Sequence, residues 1–136
     1  MKCLIVENDS TTCELLQGYL ASCGDCTVAV DGPQAVEKVR HAIDNKRSYD
    51  LICLDIMIPE MDGYDVLRKI RQIEKEQKKN KAGCSKVIVV TALSDFNNIA
   101  NAFRAGCQGY LIKPVRKDKL FEQMKKLGLL SLSGQN

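Results

Sequence analysis

Leu51-Ile52-Cys53-Leu54 is a run of four apolar residues that stops at an aspartate, and it constrains the fold more than any other stretch. Such a run reads as a short strand buried on both faces, the habit of parallel sheets with helices on each side. Open α/β sheets bind ligands at the carboxyl ends of their strands, so Asp55 stands at the mouth of an expected site. Pro59 then stops strand pairing, and Glu60-Met61-Asp62-Gly63 makes a turn into a helix.

The unit of strand, loop and helix recurs along the chain. Cys3 to Val6 reads as a first strand, followed by a helix capped by Asp9 or Ser10. Cys13, Leu16, Leu20 and Cys23 fall on the apolar face of that helix, and Gly24 ends it. Cys26, Val28 and Val30 alternate as a second strand, and Asp31-Gly32-Pro33 opens a helix with Val36, Val39 and Ile43 as its buried stripe. After the third strand, Val66, Leu67, Ile70 and Ile73 face inward on a helix. The polar stretch from Glu74 to Ser85 follows, its first half free to extend that helix. Val87 to Val90 makes a fourth strand ending at Thr91, and Ser94 or Asp95 caps a helix bearing Ile99, Ala102 and Phe103 that Gly106 closes. Tyr110 to Ile112 is a fifth strand, then Lys113-Pro114, then a helix with Leu120, Met124 and Leu127. This alternation predicts one parallel sheet with helices on both faces and right-handed crossovers.

Length and composition agree with a single globular domain: 136 residues, 45% hydrophobic and 27% charged. A net charge of +3 without an aromatic-studded basic patch gives no support to nucleic-acid contact, and the lysines between Lys75 and Lys81 read as solvated. No apolar run approaches the roughly eighteen residues of a membrane span. A strand that begins at Cys3 leaves no room for a signal peptide, so a cytoplasmic protein is expected, a monomer or weak dimer. Seven cysteines without regular spacing argue against a disulfide framework. Cys23-Gly24-Asp25-Cys26 has the C-x-x-C form, but it ends a helix where a redox motif would begin one, and no second pair completes a zinc site. The sole histidine, His41, reads as a solvated helix residue.

Glu7, Asn8 and Asp9 follow the first strand, Asp55 the third, Thr91 the fourth and Lys113 the fifth, so all can converge on one edge of one sheet. Clustered carboxylates repel unless a cation joins them, and a small set of hard oxygen ligands suits Mg²⁺. A carboxylate so placed can attack phosphorus to form an aspartyl phosphate. An ammonium and a hydroxyl nearby would stabilise the phosphoryl oxygens.

With Asp55 and Ile58-Pro59-Glu60-Met61-Asp62-Gly63, then Thr91-Ala92, Ala105-Gly106 and Gly109-Tyr110-Leu111-Ile112-Lys113-Pro114, the chain resembles the receiver domains of bacterial two-component response regulators. The likeness is to their stand-alone, chemotaxis-type form and runs from about Lys2 to Leu127. It implies a flavodoxin-like (βα)5 three-layer sandwich with strand order 2-1-3-4-5. Asp55 would accept a phosphoryl group from a sensor histidine kinase or phosphotransfer protein. Mg²⁺ would be held by Asp55, the backbone carbonyl of Met57 and the acidic pocket of Glu7 and Asn8. Lys113 would pair with Asp55 ahead of a cis bond to Pro114. Thr91 and Tyr110 would act as switch residues, moving together to repack the surface of helix four, strand five and helix five that an unknown downstream protein reads. Such a chain is no enzyme toward other molecules; it catalyses only its own phosphorylation and slow dephosphorylation.

The family usually places two adjacent acids after strand one, and this chain has Glu7 then Asn8. Weaker Mg²⁺ binding is expected, with Asp9 compensating if the loop is shifted. Met57, Ala92 and Leu93 flank the phosphoryl site. Neither Met57 nor Leu93 can orient an attacking water, so slow self-dephosphorylation is expected. The rivals fit less well. A phosphohydrolase would want an acid where Met57 stands, and a flavodoxin-type carrier would want a phosphate loop where Glu7-Asn8-Asp9 would repel FMN. A degenerate receiver that binds proteins without phosphorylation is the alternative. Residues 1–128 read as the receiver and 129–136 as a frayed tail. No output domain follows within the sequence, so the chain either acts alone by binding a partner or is a piece of a longer regulator.

Overall fold

The computed structural model describes residues 1–77 and 83–130. Five strands, β1 (Lys2–Val6), β2 (Asp25–Ala29), β3 (Leu51–Leu54), β4 (Lys86–Thr91) and β5 (Gly109–Ile112), form one parallel sheet in the order 2-1-3-4-5. Between and after them run α1 (Ser10–Leu20), α2 (Gly32–Asp44), α3 (Gly63–Glu76), α4 (Phe96–Ala105) and α5 (Lys117–Lys126).

The two-residue alternation of a strand divides the core into two layers. Leu4, Val6, Ile52, Leu54, Val87 and Val89 face one side, where α2, α3 and α4 bury their apolar stripes. Cys3, Ile5, Leu51, Cys53, Ile88 and Val90 face the other, under Leu16 and Leu20 of α1 and Leu120 and Met124 of α5. Burying each of the larger side chains contributes about 1.5–3 kcal/mol. The resulting three-layer α/β sandwich is the expected fold.

The starts of α1 to α4 are each set by a short acid, whereas α5 begins after Arg116 with no side-chain cap. Asp9, Asp31, Asp62 and Asp95 cap α1 to α4 by accepting from backbone N–H groups of the first turn, at Thr12, Gln34, Tyr64 and Asn98. At the far end of α4, Gly106 takes the left-handed conformation with φ 117°. Gly63 opens α3 against the loop after β3, where a Cβ would lie 2.2 Å from the Ile56 Cα. Only glycine allows that approach.

Several expectations need correction. Helix α1 ends at Leu20, so Cys23 lies in the following turn, where its N–H bonds the Leu20 carbonyl, and not on the helix face. The helix has therefore ended before Gly24. Val30 falls outside β2 and is 44% exposed, because β2 is an edge strand with less to cover it. Phe103 is 47% exposed, since α4 packs through the small residues Ala102 and Ala105. Leu129 and Leu130 are not frayed: they pack against the layer beneath α1 and α5, and the Leu129 N–H bonds the Met124 carbonyl. Leu132 and the lysines at 78, 79 and 81 lie outside the described residues.

Candidate functional site

Strand order decides which side chains meet. β1 and β3 are neighbours in register, Val6 beside Leu54, so the next residue of each, Glu7 and Asp55, emerge together at the carboxyl edge. β5 lies two strands away, and Lys113, one residue past its end, reaches back across the edge. Its Nζ stands 2.9 Å from Asp55 Oδ2 and 3.1 Å from Glu7 Oε2. Asp55 Oδ1 accepts the Met57 N–H at 2.9 Å, which fixes the carboxylate against the loop. The Lys113-Pro114 bond is cis. A cleft of about 530 Å³ opens here, lined by Glu7, Asn8, Asp9, Asp55, Met57 and Lys113 along with Ser10 and Ala92.

The charges answer to that geometry. Burial raises the Glu7 carboxyl above its ordinary value, and the Asp55 charge adds to the effect, while the Asp9 N–H and Lys113 oppose it. For Lys113, burial works against the ammonium, but hydrogen bonds to Asp55 and Glu7 outweigh it and hold its pKa above the usual lysine value. Lys113 pairs with Glu7 as well as with Asp55, a contact the sequence pattern does not specify. Its only signal was that an acid follows the strand adjacent to β3.

Three buried side-chain oxygens among the described residues have no hydrogen-bond partner: Ser48 Oγ ahead of β3, and Glu7 Oε1 and Thr91 Oγ1 at the carboxyl edge of the sheet. Such atoms cost about 1–3 kcal/mol each. Glu7 Oε1, the Asp55 carboxylate and the exposed Asn8 amide are hard oxygen donors at one cleft, and the orphaned Oε1 is what a small divalent cation would satisfy. The residues therefore fit such an ion. Asp9 is differently engaged. Its Oδ2 accepts from the Thr12 N–H at 3.2 Å and the Thr12 hydroxyl at 2.6 Å, bonds that hold the Asp9 carboxyl below its ordinary range. Asp9 lines the cleft beside Asn8 while its Oδ2 serves the start of α1.

Thr91 is fully buried at the end of β4, on the same side of the sheet as Val87 and Val89, and its carbonyl accepts the Lys113 N–H at 2.8 Å. No hydrogen bond joins its hydroxyl to Asp55 or Lys113. Tyr110 sits beside Val89 in register, and its hydroxyl donates to the Leu93 carbonyl at 2.8 Å. Burial pushes the Tyr110 phenol up to about 12. Met57 is 59% exposed on the rim, whereas Leu93 is half-buried and packs against the core. His41 lies exposed on α2, away from the cleft.

Residues 3–125 match the profile of the response regulator receiver domain. A probable transcriptional regulator, ycf29, of Porphyra purpurea is 34% identical over 98% of this chain and 59% of its own length. The chemotaxis protein CheY of Bacillus subtilis is 32% identical over 72% of this chain and 71% of its own. Among solved structures, the receiver domain of a sensor histidine kinase from Pseudomonas aeruginosa superposes with a TM-score of 0.73 at 27% identity, over 93% of this chain and 97% of that one. It carries a magnesium ion in its active-site cleft. The chain spans about three fifths of the length of the first of these relatives. In its sequence, its sheet order and these likenesses, this chain belongs to the response regulator receiver domain family of two-component systems.

Proposed function

We propose that Asp55 is the phosphoacceptor of a two-component phosphorelay, taking its phosphoryl group from a phosphohistidine on a sensor kinase or phosphotransfer protein. The observation that supports this best is the Asp55 carboxylate, 2.9 Å from the Lys113 ammonium at the floor of an open cleft. In the transfer a carboxylate oxygen attacks phosphorus, the P–N bond breaks, and its electron pair leaves with the imidazole. Lys113 balances the charge gathering on the oxygens. Glu7, Asn8, Asp55 and the backbone carbonyl of Met57 would hold Mg²⁺, which supplies a dication beside the phosphoryl oxygens when bound.

The Thr91 hydroxyl is buried without a partner, so it has a donor to offer a phosphoryl oxygen once that group is present. Tyr110 would then exchange the Leu93 carbonyl for an inward position, and the face of α4, β5 and α5 would change for a downstream protein. Met57 and Leu93 offer no group to orient water, which supports a long-lived acyl phosphate. We assign this work to residues 1–128, with 129–136 as a tail. Its setting would be the cytoplasm, and its state a monomer or weak dimer.

Treatment with acetyl phosphate and Mg²⁺ should add the mass of one phosphoryl group to the chain and none to Asp55→Ala. An unchanged mass would favour the other reading, a degenerate receiver that binds proteins without phosphorylation, which the exposed Asn8 amide in place of an acid favours.

A further inference from the structure

All seven cysteines are free thiols, and five of them, Cys3, Cys13, Cys23, Cys26 and Cys53, lie on one side of the sheet in or against a single core layer. Parallel register sets Cys26 directly beside Cys3, and Cys23 is within electrostatic reach of both. Cys3 is wholly buried, whereas Cys23 and Cys26 are half-buried where the α1–β2 turn enters the edge strand. Among the described residues no three His, Cys, Asp or Glu side chains are gathered to hold a metal ion. What the cluster offers is thiol–disulfide chemistry.

We infer that Cys23 and Cys26 form an oxidant-responsive dithiol, closing to a disulfide when the protein meets hydrogen peroxide. Cys3 is the other candidate partner for Cys26, but it is wholly buried and held on both edges of β1, beside Cys26 in β2 and Leu51 in β3. Both of those cysteines are fixed by the ladder, so closing that bond would bend the sheet. Cys23 stands on a turn outside α1 and can move toward Cys26 without disturbing a strand pair. The Cys23 thiolate displaces hydroxide from the peroxide, forming a sulfenic acid and, with a proton, water. The Cys26 thiolate then attacks the Cys23 sulfur, the S–O bond breaks, and the departing hydroxide takes up a proton to give the second water. Two thiols and one peroxide become one disulfide and two waters.

The dithiol is separate from the aspartate site. Cys26 and Cys3 pair at the amino end of the sheet, and Glu7 leaves β1 at the other end, about 13 Å along the strand at about 3.3 Å per residue. Oxidation is thus a second input to the same domain, and it stands whether or not Asp55 is phosphorylated. Burial pushes the Cys26 thiol above its ordinary value, so closure should quicken as pH rises.

Reduced protein treated with hydrogen peroxide should lose the mass of two hydrogens. Peptide mapping should then show Cys23 joined to Cys26, with Cys84, also half-buried, still a thiol. Dithiothreitol should restore the mass. Cys23→Ser and Cys26→Ser should each abolish the link, while Cys3→Ala and Asp55→Ala keep it. A link from Cys26 to Cys3 or to Cys84, oxygen adducts without a link, or no change of mass would each overturn the inference, and the mapping on the unsubstituted chain decides this even if a variant fails to fold.

Discussion

Two polar clusters occupy opposite ends of the sheet, and they differ in how completely they are satisfied. At the amino end, Arg71 of α3 donates to Glu74 Oε1 at 2.7 Å, to the Ser85 carbonyl at 2.8 Å, to Gln108 Oε1 at 2.8 Å and twice to the Gly106 carbonyl. Glu74 in turn accepts the Ser85 N–H at 2.8 Å, Gln108 the Val87 N–H at 2.7 Å, and the Ser85 hydroxyl donates to the Tyr49 carbonyl. The one orphan at this end among the described residues, Ser48 Oγ, lies outside the network, and each side-chain atom named in it has a partner. At the carboxyl end, Glu7 Oε1 and Thr91 Oγ1 have none. A closed network holds α3, β4 and the α4–β5 turn in place, while an open one keeps capacity for atoms that are not part of the chain.

That contrast can be broken by substitution. Arg71→Ala strands Glu74, whose side chain is 3% exposed, and should cost about 3–5 kcal/mol, lowering Tm by roughly 10–15 °C while phosphoryl uptake persists in the cold. A calorimetric Tm within a degree or two of the parent would show that the network is not the scaffold we take it for. Lys113→Met should do the reverse, slowing phosphoryl uptake about 10²–10³-fold with a smaller loss of stability. A rate equal to the parent's in a stopped assay would remove Lys113 from the reaction. Asn8→Asp restores an acid at the cleft and should tighten Mg²⁺ about tenfold, ~1.4 kcal/mol, by fluorescence or calorimetric titration. Unchanged affinity would make Asn8 silent.

The smallest effect concerns pH. The Glu7 pKa is raised in the folded state, so the fold takes up a proton there more readily than the unfolded chain. Its contribution to stability is full below the ordinary value of 4.5 and fades as pH rises through the folded value. Glu7→Gln should flatten this part of a stability–pH curve measured by urea melts. A curve with the same slope for both proteins would mean that Glu7 is not the group responsible.

Much of this was legible in the sequence, for identifiable reasons. Strand β3 is legible to the residue because a strand buried on both faces has no polar member, and the capping acids mark where α1 to α4 begin. Asp55, Glu7 and Lys113 were legible from their places at strand ends. Other features had no local signal. The apolar spacing of α1 continues through Cys23 although the backbone has already turned. Phe103 keeps the helical period, yet the contacts belong to alanines. The Arg71 network joins residues 35 and 37 apart, to Gly106 and Gln108, and nothing near Arg71 announces them. That the Thr91 hydroxyl lacks a hydrogen-bond partner is a property of packing, which a strand pattern does not contain.

Reduction of the acetyl-phosphate-treated protein with borohydride would put the central assignment to the most direct test, since an aspartyl phosphate is converted to homoserine where it stands. Peptide sequencing should then find homoserine at position 55 alone, in amounts that follow the phosphoryl content. Homoserine at another aspartate, or none in protein that carries phosphate, would contradict the account.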